Sequence, residues 1–241
     1  MLKTVLTITA LMLAGAAAFA ATGADGAPQL VRTATSAEGF APEGWRVEQM
    51  VEGDISRDGI ADLVFVLRKN DPAGVIFRDY FPPADINPRI LAVALGGGGS
   101  FTLAGQDDAL IPTRGADGLN MEDPFDQGLS VENGSVVVRV NLFMNMGGAD
   151  MGPYEFRFRS QDGAVRLIGY DHTNVQRMTG ESSAVSVNFL TGRMTRTTGR
   201  IDSDTEETET LRTTTTPPLT LDQVGDAFSF EYDVLRPRIV S

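Results

Sequence analysis

Strand-length runs of apolar or alternating residues, separated by short glycine-containing turns, dominate the sequence after residue 40. Tyr154–Arg159 alternates apolar and charged residues, and Asp62–Arg68 is a β-branched apolar run; both patterns are typical of strands. Apart from a weak match at Leu221–Phe228, no window after Ala20 follows the period of a helix. Because parallel strands need long crossovers, such short connections indicate antiparallel pairing. We predict an all-β fold with little helix, made of antiparallel meanders that form a sandwich, a curved sheet or a partial propeller-like assembly.

Turn residues predict which strands pair. Asn133-Gly134 suits a type I′ hairpin turn, and it lies between two β-branched runs. Gly96–Gly99 and Thr191-Gly192 each divide a further pair of predicted strands in the same manner. The acidic, threonine-rich stretch 202–210 is predicted to be a loop, with one more strand at 211–216.

The N-terminus has the pattern of a secretory signal. Lys3 precedes a mostly apolar stretch, and Ala18-Phe19-Ala20 is a small-x-small cleavage site. We therefore predict a signal peptide at residues 1–20 that is cleaved after Ala20, a flexible N-terminal lead-in at 21–40, and a single β-rich domain at 41–241. No later segment is long and apolar enough for a membrane span in the mature chain, which predicts a periplasmic or secreted protein.

Charge and cysteine content narrow the function classes. The 241 residues include 20 basic and 32 acidic side chains, for a net charge of −12. Nucleic acids and anionic membranes attract positive fields, so the acidic balance argues against both as partners. The absence of cysteine excludes disulfides, thiolate metal sites and cysteine nucleophiles.

One acidic segment has the spacing of a calcium loop. Oxygen-bearing side chains occupy loop positions 1, 3, 5 and 9, and the peptide oxygen of position 7 can join them. The predicted metal ligands are Asp54, Ser56, Asp58, Ile60 and Asp62. Ca²⁺ takes about 6–8 oxygen ligands, so this loop supplies five and water the rest. The alternative is an acidic β-turn whose aspartates cap their own backbone.

This segment resembles the calcium loop of FG-GAP/VCBS repeats, whose usual form is Gly-Asp-x-Asn/Asp-Gly-Asp-Gly-x-x-Asp-Leu between two strands. Gly53, Asp54, Asp58-Gly59 and Asp62-Leu63 match, whereas Ser56 and Arg57 depart from the pattern. The strand, glycine-rich turn and phenylalanine of residues 91–101 are similar to the later part of such a repeat. The resemblance covers about residues 46–103 and implies a structural Ca²⁺.

Three further sets of residues are candidates for chemistry. His172, the only histidine, would have to be the base of any Ser-His-Asp triad, and a hydrogen-bonded residue at a strand end is the alternative. Met144, Met146 and Met151 offer thioethers for Cu(I), or two of them face the core and the loop forms a recognition surface. Asp107-Asp108 and the stretch 122–126 hold carboxylates that glycoside chemistry would need at a fixed separation.

Together these features predict an exported, non-enzymatic β-rich binding or interaction protein with a structural calcium loop, whose partner is an envelope or extracellular protein or glycan. A periplasmic inhibitor or immunity-type protein is one alternative. A carboxylate-dependent hydrolase is the other.

Overall fold

The computed structural model describes residues 26–79, 81–113, 121–125, 128–145, 150–214 and 218–240, so the signal sequence predicted at 1–20 lies outside the described residues. The strands are β1 (Thr33–Ala34), β2 (Trp45–Gly53), β3 (Asp62–Lys69), β4 (Val75–Arg78), β5 (Phe81–Asp85), β6 (Arg89–Gly97), β7 (Ser100–Asp107), β8 (Gly128–Glu132), β9 (Ser135–Leu142), β10 (Asp150–Gln161), β11 (Ala164–Gln176), β12 (Glu181–Asn188), β13 (Arg193–Arg200), β14 (Glu207–Thr213) and β15 (Ile239–Val240). Helical turns are short: 3₁₀ at Glu38–Phe40, Pro72–Gly74, Leu221–Gln223 and Arg236–Arg238, and π at Glu231–Leu235. Among the described residues, none of these has the length and apolar character needed to cross a bilayer.

The strands form two main antiparallel sheets, which confirms the predicted all-β class. The first sheet has the order β1-β7-β6-β3-β2, and the second runs β15-β14-β13-β12-β11-β10-β9-β8 as one long meander. Strands β4 and β5 form a separate two-stranded hairpin in the chain segment that connects β3 to β6.

The main core lies between the two sheets. Val64 and Val66 of β3 share one buried cluster with Val138 of β9 and Phe156 of β10. Phe230, from the C-terminal segment, belongs to the same cluster and is fully buried. The sheets therefore pack face to face as in a sandwich, and residues 219–239 fill the space between them.

Strand β3 is buried on both faces, which explains its continuous apolar run. Leu63, Phe65 and Leu67 point away from the second sheet into a smaller cluster. This cluster includes Phe40, whose ring stacks on Phe65 at 5.3 Å between centroids. From Leu30 onward, the predicted lead-in is thus packed on the first sheet.

The hairpins lie at the turns that the sequence predicted. Strands β6 and β7 pair around the glycine-rich turn, and β12 and β13 pair around Thr191-Gly192. Asn133 and Gly134 both have positive φ (52° and 68°), as a type I′ turn requires. One boundary differs from the prediction: β14 already begins at Glu207, inside the stretch predicted to be a loop.

Candidate functional site

The predicted cation loop connects β2 to β3, and Asp62 anchors it. This side chain is fully buried. Its Oδ2 accepts hydrogen bonds from the backbone N–H groups of Ile55 and Ser56, each at 2.8 Å. Its Oδ1 accepts one from the N–H of Gly96, also at 2.8 Å. A single carboxylate therefore closes the loop and joins it to the glycine-rich turn.

Asp54 and Asp58 shape the exposed part of the loop. The two oxygens of Asp54 accept the backbone N–H groups of Asp58 and Gly59, at 3.1 and 3.0 Å. Asp58 accepts the N–H of Ile60 at 2.8 Å. Because a carboxylate has about four lone-pair sites, these bonds leave acceptor capacity on both side chains.

The two departures from the repeat pattern have structural consequences. The hydroxyl oxygen of Ser56 is buried and has no hydrogen-bond partner in the structure. The guanidinium of Arg57 donates to the carbonyl oxygen of Asn133 at 3.2 Å, on the turn between β8 and β9. Arg57 thus bonds to this turn and forms no described ion pair with Asp54 or Asp58.

The five predicted ligands lie in one loop, but their carboxylates do not form a compact triad. Within the described ranges, no group of three or more His, Cys, Asp or Glu side chains is placed to hold a metal ion. Asp62 already accepts three backbone hydrogens, which leaves about one of its lone-pair sites. Calcium binding by Asp54, Ser56, Asp58, Ile60 and Asp62 remains a prediction.

The glycine-rich turn lies directly beside the loop. Gly96 follows the apolar part of β6, and a side chain at this position would collide with the carbonyl oxygen of Ala61. Strands β2, β3, β6 and β7 are consecutive in the first sheet. Residues 46–103 thus form one connected unit of that sheet, interrupted by the β4–β5 hairpin.

His172 lies inside β11, two-thirds of the way along the strand, and contacts the C-terminal segment. Its Nδ1 is 2.7 Å from Oε1 of Glu231, which also accepts the hydroxyl of Tyr170 at 2.9 Å. The ring of Tyr154 stacks on the imidazole at 3.7 Å. Burial opposes ionisation of Glu231, yet the hydrogen bonds from His172 and Tyr170 lower its pKa. The contacts of His172 are those of a residue that fastens residues 231–235 to the sheet.

The carboxylates considered for glycoside chemistry have separate structural roles. Asp107 is buried and accepts the backbone N–H groups of Ala109 and Leu110. Burial raises its pKa to about 6. Asp123 instead forms ion pairs with Arg68 and Arg89. Asp126 lies outside the described residues.

The methionine loop is described only at its ends. Met144 makes an isolated β-bridge with Met121, and Met151 lies in β10. Met146, the second proposed core-facing methionine, and the adjoining residues 147–149 lie outside the described part of the chain.

Sequence reasoning missed a buried charge cluster at the other end of β3. Arg68 and Arg89 lie opposite each other in the β3–β6 register and are 4% and 3% exposed. Glu48 bonds both, at 2.7 Å to Arg68 and 2.6 Å to Arg89. Asp123 lies 2.8 Å from Arg89 and 3.3 Å from Arg68, while Asp85 lies 3.1 Å from Arg68.

A β-bulge places Glu48 in this cluster. The register between β2 and β3 shifts between Val47 and Gln49, so Glu48 has no partner in the ladder. Bulges redirect side chains in this way. Burial opposes ionisation of Glu48 and Asp123, but hydrogen bonds from Arg89 lower both pKa values. The sequence signal that was available is an arginine beside each apolar run, with Arg68 after the run of β3 and Arg89 before the run of β6.

No protein-family model, curated protein or solved structure matches the chain. The resemblance of residues 46–103 to FG-GAP/VCBS repeats therefore depends on the sequence motif itself.

Proposed function

We propose that this chain is an exported, non-enzymatic β-rich binding or interaction protein whose Asp54–Asp62 loop is braced by a structural Ca²⁺. The observation that carries the proposal is the set of unsatisfied oxygens on one short loop. Asp54 and Asp58 retain lone pairs and have no described ion pair, and the buried Ser56 hydroxyl lacks a partner. Hard oxygen donors of this kind suit Ca²⁺.

The ion would have a structural role. Four of the proposed ligands lie in the loop between β2 and β3, and the fifth, Asp62, is the first residue of β3, so a bound cation would stiffen that loop. Asp54, Ser56, Asp58, the Ile60 carbonyl and the remaining acceptor site of Asp62 would face the ion, and Asp62 would also hold the loop in shape through its backbone contacts. Extracellular calcium modules work at about 10⁻⁴–10⁻³ M, so a site of modest affinity suffices in that compartment.

A non-enzymatic role is supported by how the reactive groups are used. His172 contacts Glu231 and stacks on Tyr154, Asp107 caps a turn, and Asp123 is paired with arginine. Each of these groups has a structural partner. Binding is then the simplest function for the exposed polar surfaces of the second sheet.

The calcium proposal is tested by thermal unfolding of the mature chain with excess Ca²⁺ and with chelator. We expect Ca²⁺ to raise the melting temperature, by linkage worth about 3 kcal/mol at a hundredfold excess over Kd. Asp58→Ala should abolish the rise. Asp204→Ala, an exposed carboxylate between β13 and β14, is the matched control and should keep it. Identical wild-type curves in the two conditions would disprove the site.

A further inference from the structure

We infer that the outer edge of β14 is a docking site for an extended basic peptide segment, which would add as a further strand to the second sheet. This inference builds on the proposed binding function and names its surface and partner chemistry. It depends on four observations: an open strand edge, the direction of its backbone groups, the adjoining grooves and the charge of the strand.

Strand β14 is only partly covered on its outer side. Its inner side pairs with β13 from Glu207 to Arg212. On its outer side, β15 pairs with Arg212 and Thr213. Among the described residues, no strand pairs with the outer side of residues 207–211.

The direction of the backbone groups follows from two hydrogen bonds. Thr213 donates its N–H to Gly192, on the β13 side, at 3.0 Å. Thr214 donates to Arg238, on the opposite side, at 2.9 Å. Backbone groups alternate sides along an antiparallel strand, so the N–H and C=O groups of Thr208 and Thr210 point outward. An added strand would bond to these four groups.

One other edge of the sandwich, the outer side of β7, is covered in its described part. The open side of β7 receives the N-terminal segment: Leu103 donates to Arg32, and Gln106 bonds to Pro28 and Leu30. Uncovered edges are normally blunted because they recruit other chains. Against this background, the uncovered stretch of β14 is a surface available for a partner.

Two grooves reach β14 from the side of β13, and each is lined by more acidic than basic side chains. A groove of ≈ 320 Å³ follows β14, lined by Arg196, Thr198, Glu207, Thr208 and Glu209. A larger one of ≈ 640 Å³ shares Glu207 and adds the carboxylates of Asp150 and Glu181.

The charges in the grooves favour a basic peptide as the occupant. The two basic side chains in the grooves already have acidic partners: Arg196 binds Glu209 at 2.9 Å, and Arg200 binds Asp202 at 2.9 Å. Glu207 has no described partner. Lysine or arginine at alternate positions of an incoming strand would lie beside Glu207 and Glu209, an arrangement that stabilises cross-strand pairs.

The same charges exclude a second copy of this chain as the occupant. Two β14 edges in contact would bring glutamates of both copies together, and like charges in neighbouring strands are destabilising. The net charge of −12 adds a general repulsion between copies.

The test uses the folded mature chain and a short synthetic peptide that alternates lysine and valine. We expect binding that weakens as salt rises and that slows hydrogen exchange at the amides of Thr208 and Thr210. A peptide that alternates glutamate and valine should not bind. Equal binding of both peptides, or no binding of the basic one, would overturn the inference.

Variants of the edge locate the contact. Thr210→Pro removes an outward N–H that the fold does not use, and edge strands tolerate proline there. One lost hydrogen bond should weaken binding about three- to tenfold. Thr210→Val keeps the N–H and should stay within about twofold of wild type. Glu207→Lys, an exposed change, should weaken binding and reduce its salt dependence; unchanged binding in both Thr210→Pro and Glu207→Lys would refute this edge as the site.

The peptide experiment is run with Ca²⁺ and with chelator, so that the two proposals can fail separately. Binding in both conditions supports the edge even if Ca²⁺ does not stabilise the chain. Stabilisation by Ca²⁺ without peptide binding supports the loop and rejects the edge.

Discussion

The two ends of the β3–β6 strand pair bury charge in different ways. At the loop end, the carboxylate of Asp62 is surrounded by backbone N–H groups that carry no net charge. At the other end, Arg68 and Arg89 are neutralised by the carboxylates of Glu48 and Asp123. The first arrangement takes two of its three donors, Ile55 and Ser56, from within seven residues of Asp62, and the third, Gly96, from 34 residues away. The second draws on segments that are far apart in the chain and come together only in the folded state.

This difference sets the expected cost of breaking each end. A buried ion-pair network contributes little compared with apolar packing, but removing one partner leaves an uncompensated buried charge. A carboxylate bound by amides leaves polar but uncharged groups behind when it is removed. The arginine end should therefore be the more sensitive of the two.

The largest effect is expected for Glu48→Ala. The substitution removes one of the two carboxylates that Arg68 and Arg89 share, the other being Asp123, and a loss of about 3–5 kcal/mol in the free energy of unfolding should follow. Denaturant titration measures it. Glu132→Ala is the control, since Glu132 also bonds two arginines but on the half-exposed outer face of the second sheet, where about 1 kcal/mol or less is expected. Equal losses would show that burial does not decide the cost.

Asp62→Ala should come next. Three backbone N–H groups lose their acceptor, which costs about 2–3 kcal/mol when measured in chelator to exclude any metal. Asp58→Ala, measured in the same buffer, should cost less than about 1 kcal/mol because it loses one exposed bond. A larger cost at Asp58 than at Asp62 would reverse the roles assigned here.

Acid should weaken the arginine end. The pKa values of Glu48 and Asp123 are lowered in the folded state, so their contribution is full above the ordinary carboxyl pKa of about 4 and falls as pH drops through the folded values. Unfolding curves between pH 5 and the acid limit should show this decline as a falling free energy of unfolding. In Glu48→Gln the decline should be shallower; an unchanged slope would contradict the assignment.

Asp107→Asn is expected to have the smallest effect and the opposite sign. Because burial raises the folded pKa of Asp107 to about 6, the folded state prefers the protonated form, and stability falls as pH rises from about 4 to 6. An asparagine oxygen can still accept both backbone hydrogens. We expect a gain on the order of 1 kcal/mol at pH 7 that disappears near pH 4, measured by thermal unfolding at both values.

The contrast between the two ends also explains what the sequence could predict. The β-class, the hairpins at Asn133-Gly134 and Thr191-Gly192 and the position of the acidic loop follow from local patterns, which a sequence displays directly. The bonds from the N–H groups of Ile55 and Ser56 to Asp62 fit the alternative of aspartates that cap their own backbone, whereas the bond from Gly96, 34 residues away, was not predicted. The arginine cluster needs the bulge at Glu48 and the approach of Asp123, and neither leaves a local pattern.

Strand β14 shows a second limit. Glu207, Thr208, Glu209 and Thr210 alternate between two polar residue types, so no apolar period marks the strand. Its conformation comes from pairing with β13. Pairing with a neighbouring strand therefore determines its conformation, because the residue preferences of this segment do not predict a strand.

The position of Gly53 indicates how a ligand at the loop would affect the second sheet. Gly53 is the last residue of β2, and it faces Val131 of β8. A β-carbon on Gly53 would lie 2.7 Å from a methyl group of Val131. One residue later the loop begins, and Arg57 reaches across to Asn133. The loop thus sits at the seam where the edges of the two sheets touch. A bound ion that stiffens the loop would tighten this seam. Ion binding at a loop of the first sheet would then reduce the motion of β8 and β9 in the second sheet.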